Sequence, residues 1–121
     1  MTDLLPPNLA FVHPVDGPST IGFFSEARHG SGVVVSVTGD IDMATAPALQ
    51  RRLAELLCLP VDSLTVDMSG VEFMDSSGLN ALNQTRIDAK ERNVPFALAS
   101  VPRQVQEVLE VVNMEDIFDI R

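Results

Sequence analysis

The alternation of strand-like and helix-like segments constrains this chain more than any other feature of its sequence. Apolar or β-branched runs at residues 21–24 and 33–38 flank a glycine-rich turn at residues 29–32, which predicts a hairpin. Segments with apolar residues at helical spacing then alternate with short apolar runs. Helices are predicted from Thr45 to Pro60, from about Gly78 to Asn93 and from Ser100 to Val112. Strands are predicted at residues 64–68, 96–99 and 116–120. Strands that alternate with helices favour parallel crossovers. The order β-β-α-β-α-β-α-β therefore predicts an α/β domain with a mixed, mostly parallel sheet of about four to five strands and three or four helices.

The length of 121 residues corresponds to one domain. Residues 1–18 contain four prolines and little periodicity, which predicts an extended N-terminal arm, followed by the domain at residues 19–121. The arm is expected to pack against a sheet edge through Leu9, Phe11 and Val12, and a partly ordered terminus without function is the alternative.

The composition excludes several classes of partner and site. A formal net charge of −9 disfavours nucleic-acid backbones and anionic membranes as partners. The single cysteine, Cys58, excludes an intramolecular disulfide and a multi-cysteine metal site, and it is predicted to be a small core residue. No run approaches the roughly 18 apolar residues of a membrane span, and the N-terminus lacks the pattern of a secretory signal. We expect a cytoplasmic protein with no metal and no cofactor.

The segment from Val71 to Leu79, VEFMDSSGL, places two serines where an apolar run gives way to a helix. One interpretation is structural, since a serine hydroxyl caps a helix by accepting from the backbone N–H groups of its first turn. The other is regulatory, since a phosphate on such a serine would add roughly −1.5 to −2 charges where a partner could dock. The neutral polar face of the same helix, formed by Asn80, Asn83, Gln84 and Thr85, is compatible with docking.

Two motifs, Gly39-Asp40-Ile41-Asp42 after a valine-rich strand and Asp67-Met68-Ser69-Gly70-Val71-Glu72-Phe73-Met74-Asp75-Ser76-Ser77-Gly78-Leu79, resemble the STAS domain, and within it the stand-alone bacterial anti-anti-sigma factors. The resemblance runs from about residue 20 to the end. It implies a STAS fold in which Ser77 is the phosphorylated residue and Ser76 a minor candidate. It also implies a partner-binding surface formed by Asp40, Asp42, Asp75, Ser76, Ser77, Gly78 and Leu79. Gly78 is expected either to let the partner or phosphate approach the backbone or to serve as a simple turn glycine.

The resemblance implies a non-enzymatic antagonist with two kinds of partner. Its unphosphorylated form would bind an anti-sigma factor that is also a serine kinase, which frees sigma, and a phosphoserine phosphatase would reset the phosphorylated form. The alternative is a STAS scaffold or small-ligand module without a phosphoswitch. A response-regulator domain is disfavoured because the only lysine, Lys90, lies in a predicted helix. A serine hydrolase is disfavoured because neither serine has glycine two residues before it.

Overall fold

The computed structural model describes residues 11–14 and 23–121, and within them the chain forms six strands and three helices. The strands are β1 (Phe11–Pro14), β2 (Phe23–His29), β3 (Gly32–Ile41), β4 (Ser63–Met74), β5 (Phe96–Ala99) and β6 (Asp119–Ile120). The helices are α1 (Ala46–Leu57), α2 (Ser76–Glu91) and α3 (Arg103–Val111). The predicted element order from the hairpin onward is confirmed, and β1 is one strand more than predicted.

All six strands form one sheet whose order follows the chain from β1 to β6. β1, β2 and β3 pair antiparallel, whereas β3, β4, β5 and β6 pair parallel. β1 lies in the proline-rich arm and pairs with β2, so the expected packing of the arm against a sheet edge is confirmed for the backbone of Phe11–Pro14. Leu9 lies outside the described residues.

The hydrophobic core lies between one face of the sheet and the helices. Right-handed crossovers between consecutive neighbouring strands put α1, α2 and α3 on that same face. The buried strand residues alternate along β3 and the first half of β4, as expected for a sheet that is covered on one side. The core side chains include Val33, Val35, Val37, Leu64, Val66, Met68 and Leu98 from strands, and Leu49, Leu53, Leu56, Leu79, Leu82, Val105 and Leu109 from helices.

An ion pair ties the hairpin to α1 on the covered face. Glu26 of β2 is only 8% exposed, and the guanidinium of Arg52 reaches both of its carboxylate oxygens, with Nη2 at 2.7 Å from Oε1. Arg52 also donates from Nη1 to Glu55 Oε1 at 3.0 Å. The hydrogen bond to Glu26 is the main cause that raises the pKa of Arg52 above its ordinary value. The guanidinium therefore stays charged at any accessible pH.

β4 extends to Met74, beyond the predicted end at residue 68, and in its second half buried and exposed residues do not alternate. The register with β3 shifts between Ser36 and Thr38 and again between Gly39 and Asp40, and each shift places an extra residue on β4. The buried positions then fall three apart, at Met68, Val71 and Met74. Bulges of this kind bend a strand and redirect its side chains, and they are frequent beside functional sites.

Thr45 occupies the N-cap position of α1, at the predicted start of the helix, but its side chain makes no capping bond to α1. Its hydroxyl accepts from the Asp42 N–H at 2.9 Å and donates to the Asp40 carbonyl at 3.0 Å. One prediction at the other end of α1 is wrong. Cys58, predicted to be a core residue, follows the last turn of α1 and is exposed. The apolar neighbours of Cys58 in sequence gave no sign of the face on which it lies.

Candidate functional site

The candidate site lies at the carboxyl edge of β3 and β4, where α2 begins. In the parallel ladder Asp40 pairs with Phe73 and Ile41 with Met74, so the motifs at 39–42 and 71–79 become neighbours. The Asp75 N–H donates to the Ile41 carbonyl at 3.2 Å and extends this link beyond the last strand residue. The fold thus brings the predicted aspartates 40, 42 and 75 to the same edge as the two serines.

Asp75, rather than a serine, caps α2. Its backbone is extended, with φ −107° and ψ −168°, and its Oδ1 accepts from the Ser77 N–H at 2.8 Å. α2 therefore begins at Ser76, two residues before the predicted start at Gly78. Asp75 is also favourably placed against the positive end of the helix dipole.

Both serines lie inside the first turn of α2, with hydroxyls that are available for chemistry. Ser76 is exposed and Ser77 is half-buried. Neither hydroxyl makes a hydrogen bond to residues 11–14 or 23–121. A hydroxyl at this position can accept a phosphoryl group without the loss of an internal hydrogen bond.

The loop that follows β3 is held by the Asp42 carboxylate. Asp42 Oδ1 accepts from the N–H groups of Ala44 at 3.0 Å and Thr45 at 3.2 Å, and the Asp42 carbonyl accepts from Ala46 N at 2.8 Å. Asp42 therefore has a structural role in this turn in addition to any role in binding. The Asp40 carboxylate is half-buried and makes no ion pair or hydrogen bond within the described part of the chain.

Gly78 and Leu79 face the interior. Leu79 is 5% exposed, and Gly78 is buried where α2 crosses the ends of β3 and β4. A Cβ on Gly78 would lie 2.5 Å from Met74 Cγ and 2.7 Å from Ile41 Cγ2. The need for glycine here follows from close packing inside the domain, and the contribution of both residues to a binding surface stays a prediction.

Two large apolar side chains at this edge were not among the predicted site residues. Met43 in the loop after β3 is 77% exposed, and Phe73 on β4 is 50% exposed. Phe73 could have been found from its motif, where it lies two residues before Asp75 and breaks the alternation that runs through Met68. Met43 carries no comparable signal in the sequence.

The predicted neutral polar face of α2 is exposed only in part, and Ile87 on the same helix is also exposed, at 37%. Asn80 and Gln84 are exposed, whereas Thr85 is buried and donates its hydroxyl to the Ala81 carbonyl at 2.8 Å. An open cleft of about 370 Å³ lies between α1 and the second half of α2. Its lining is Gln50, Ala54, Gln84, Thr85, Ile87, Asp88 and Glu91.

Within residues 11–14 and 23–121, no group of three or more histidine, cysteine, aspartate or glutamate side chains is placed to hold a metal ion. None of the helices in this part of the chain is long and apolar enough to cross a membrane.

The sequence and the fold both match a known family. Residues 24–120 match the family described as "Mlab, STAS domain", and the chain belongs to the STAS domain family. It is 39% identical over 59 residues to the anti-sigma-F factor antagonist RsfB of Mycobacterium tuberculosis, an alignment that spans 49% of this chain and 48% of RsfB. The chain thus spans about half the length of this relative.

Two further proteins are similar over more of the chain. The anti-sigma-B factor antagonist of Bacillus subtilis is 27% identical over 93 residues, which cover 77% of this chain and 84% of that protein. The crystal structure of an anti-sigma factor antagonist from Mycobacterium paratuberculosis superposes with a TM-score of 0.72 at 25% identity, over 97% of this chain and 89% of that one. The predicted STAS resemblance and fold class are confirmed.

Proposed function

We propose that this protein is an anti-sigma factor antagonist whose binding is switched off by phosphorylation of Ser77. The observation that carries the proposal is the position of Ser77 in the first turn of α2, where the residue is half-buried and its hydroxyl is unbonded within the described residues. The choice of Ser77 over Ser76, whose hydroxyl is also unbonded there, follows the STAS-like motif Asp75-Ser76-Ser77-Gly78. The names of the relatives support the same class of partner, because RsfB and the Bacillus subtilis protein are both named antagonists of anti-sigma factors.

In this mechanism the unphosphorylated edge binds the anti-sigma factor and thereby frees sigma. The anti-sigma factor is itself the serine kinase and holds the nucleotide, so this chain contributes the acceptor hydroxyl and no catalytic group. A phosphoserine phosphatase restores the binding form. The proposed setting is the cytoplasm.

Electrostatics at this edge explain why a phosphate would oppose binding. Phosphorylation adds roughly −1.5 to −2 charges. The carboxylates of Asp40, Asp42 and Asp75 already lie at this edge, and Asp75 already accepts from the Ser77 N–H. The phosphate must therefore compete with Asp75 for the N–H groups of the first turn, or project toward the docked partner, where an unpaired dianion is costly to bury.

Phosphorylation is tested by intact-mass spectrometry after incubation with the cognate anti-sigma kinase and Mg-ATP. The wild-type chain and Ser76→Ala are expected to gain one phosphate, and Ser77→Ala none. Ser76 is the matched control because it lies in the same turn and is more exposed. Modification that persists in Ser77→Ala and disappears in Ser76→Ala would transfer the assignment to Ser76.

Binding is tested by calorimetry against the same anti-sigma factor. Ser77→Ala should bind as tightly as the wild type, and Ser77→Asp at least about tenfold more weakly, which corresponds to about 1.4 kcal/mol. Ser76→Asp adds the same charge one residue away and is expected to weaken binding less. Equal affinities for Ser77→Ala and Ser77→Asp would contradict the switch.

A further inference from the structure

The edge that carries Ser77 also exposes two large apolar side chains, Met43 and Phe73, at 77% and 50% of their surface. The other methionines of the two neighbouring strands, Met68 and Met74, are at most 2% exposed. Single exposed apolar residues are common on protein surfaces. Met43 and Phe73 both lie at the same carboxyl edge of β3 and β4 as Ser77, which is the edge that the proposed function assigns to the partner.

Both side chains are presented by an ordered backbone. Phe73 is in the β3–β4 ladder opposite Asp40. Met43 lies in the turn that the Asp42 carboxylate holds through the N–H groups of Ala44 and Thr45. Since the backbone of both residues is already fixed, binding through them loses little backbone conformational entropy, which favours their use as anchors.

The surroundings of the two anchors are acidic. Asp40, Asp42 and Asp75 lie at this edge, and the exposed Glu72 precedes Phe73. The base beside them is Arg103 at the start of α3, next to Gln104, whose side chain bonds to the Glu72 carbonyl. Arg103 is paired with Glu107 of its own helix at 3.3 Å.

We propose that Met43 and Phe73 are the apolar anchors of the contact with the anti-sigma factor, and that they enter an apolar pocket whose rim carries an arginine or lysine side chain opposite Glu72, on the side of Gln104 of α3, and no basic side chain opposite Ser77. This inference rests on the proposed function and adds the residues that carry affinity and the chemistry of the complementary surface. A second copy of this chain is disfavoured as the occupant, because a symmetric contact would place the four carboxylates against their equivalents. An anionic membrane is disfavoured by the same charges.

The anchors are tested with Met43→Ala and Phe73→Ala, and with Val111→Ala as the matched control. Val111 is 81% exposed and lies at the opposite end of α3 from Arg103, about 12 Å along the helix. Binding to the purified anti-sigma factor is measured by calorimetry. Each anchor variant is expected to lose at least about tenfold in affinity, and Val111→Ala less than about twofold. Thermal midpoints within about 2 °C of the wild type would show that the variants are folded.

The acidic rim is tested with Glu72→Gln in stopped-flow association. A lower association rate that also depends less on salt is expected, since rim charges act mainly on the encounter. An association rate and a salt dependence that both match the wild type would contradict the proposal that the partner's pocket has a basic rim.

Failure of this inference is distinguishable from failure of the proposed function. If the wild-type chain binds the anti-sigma factor and Ser77→Asp weakens that binding, but Met43→Ala and Phe73→Ala bind like the wild type, the anchors are wrong and the switch stands. If the wild-type chain binds no anti-sigma factor, the proposed function fails, and the anchors with it.

Discussion

Replacement of Gly78 by alanine tests whether close packing inside the domain positions the start of α2. An alanine Cβ would lie 2.5 Å from Met74 Cγ and 2.7 Å from Ile41 Cγ2, with Ile41 Cβ at 3.1 Å. Both neighbours are buried, and neither contact involves the freely moving end of a long side chain. Something must therefore shift, and we expect α2 to move away from the ends of β3 and β4.

The magnitude follows from two opposing effects. Overpacking a core costs about 1–3 kcal/mol, and two short contacts at one site place Gly78→Ala in the upper half of that range. Alanine is favoured over glycine inside a helix by up to about 1 kcal/mol, which offsets part of the cost. The free energy of unfolding should fall by about 1–2 kcal/mol, which lowers the thermal midpoint by about 4–8 °C for a domain of this size.

The assay is thermal and urea unfolding followed by circular dichroism, with Asn80→Ala as the control. Asn80 is exposed on the same helix, so its replacement gains helix propensity without a clash, and the midpoint should stay equal or rise slightly. A midpoint for Gly78→Ala at or above that of the wild type would refute the packing argument. The glycine would then be explained by access of a partner to the backbone.

Three further predictions concern the cap, the buried ion pair and the cysteine. Asp75→Ala should lower the free energy of unfolding by about 1 kcal/mol in urea denaturation, because the Ser77 N–H loses its acceptor, and no loss would contradict the capping role. Arg52→Leu should lower the free energy of unfolding by about 2 kcal/mol, below the roughly 3–5 kcal/mol for a fully buried pair, because Glu26 is left without its partner. The double variant Glu26→Leu/Arg52→Leu should recover most of that loss, whereas a loss equal to the sum of the Glu26→Leu and Arg52→Leu single variants would argue against the pair. Cys58 should react with one equivalent of Ellman's reagent in the absence of denaturant, and a thiol that reacts only in urea would contradict its exposure.

The limits of the sequence prediction can be traced to particular residues. β3 and the first half of β4 were recognised because Val33, Val35, Leu64 and Val66 alternate with less buried neighbours. The sequence predicts a strand only as far as Met68, because two bulges change the spacing of the buried residues in the second half of β4 from two to three. Gly70 allows this geometry, since a Cβ there would lie 2.7 Å from Thr38 Cγ2. A bulge depends on the partner strand, so the alternation of one strand does not reveal it.

The candidate site also has features that the sequence shows and features that only the structure shows. Serines at a strand-to-helix junction, aspartates after two apolar runs and the STAS-like motifs are all visible in the sequence, and they predict both the family and the candidate site residues. The sequence did not decide which of three side chains caps α2, because Asp75, Ser76 and Ser77 are all good capping residues. The structure assigns the cap to Asp75 and leaves both hydroxyls unbonded within the described residues.

The sequence by itself determined the order of elements from the β2–β3 hairpin onward, the α/β class and the acidic character of the surface, since these depend on local periodicity and on composition. Only the tertiary structure decided which residues meet at the carboxyl edge of β3 and β4. It placed Gly78 inside the packing and left Met43 and Phe73 exposed at the edge that carries Ser77. The physical reason is that the burial of a side chain and its contacts depend on how two strands or helices pack against each other. The register between the parallel strands β3 and β4, which two bulges shift, depends on both strands and is not determined by the sequence of either one alone.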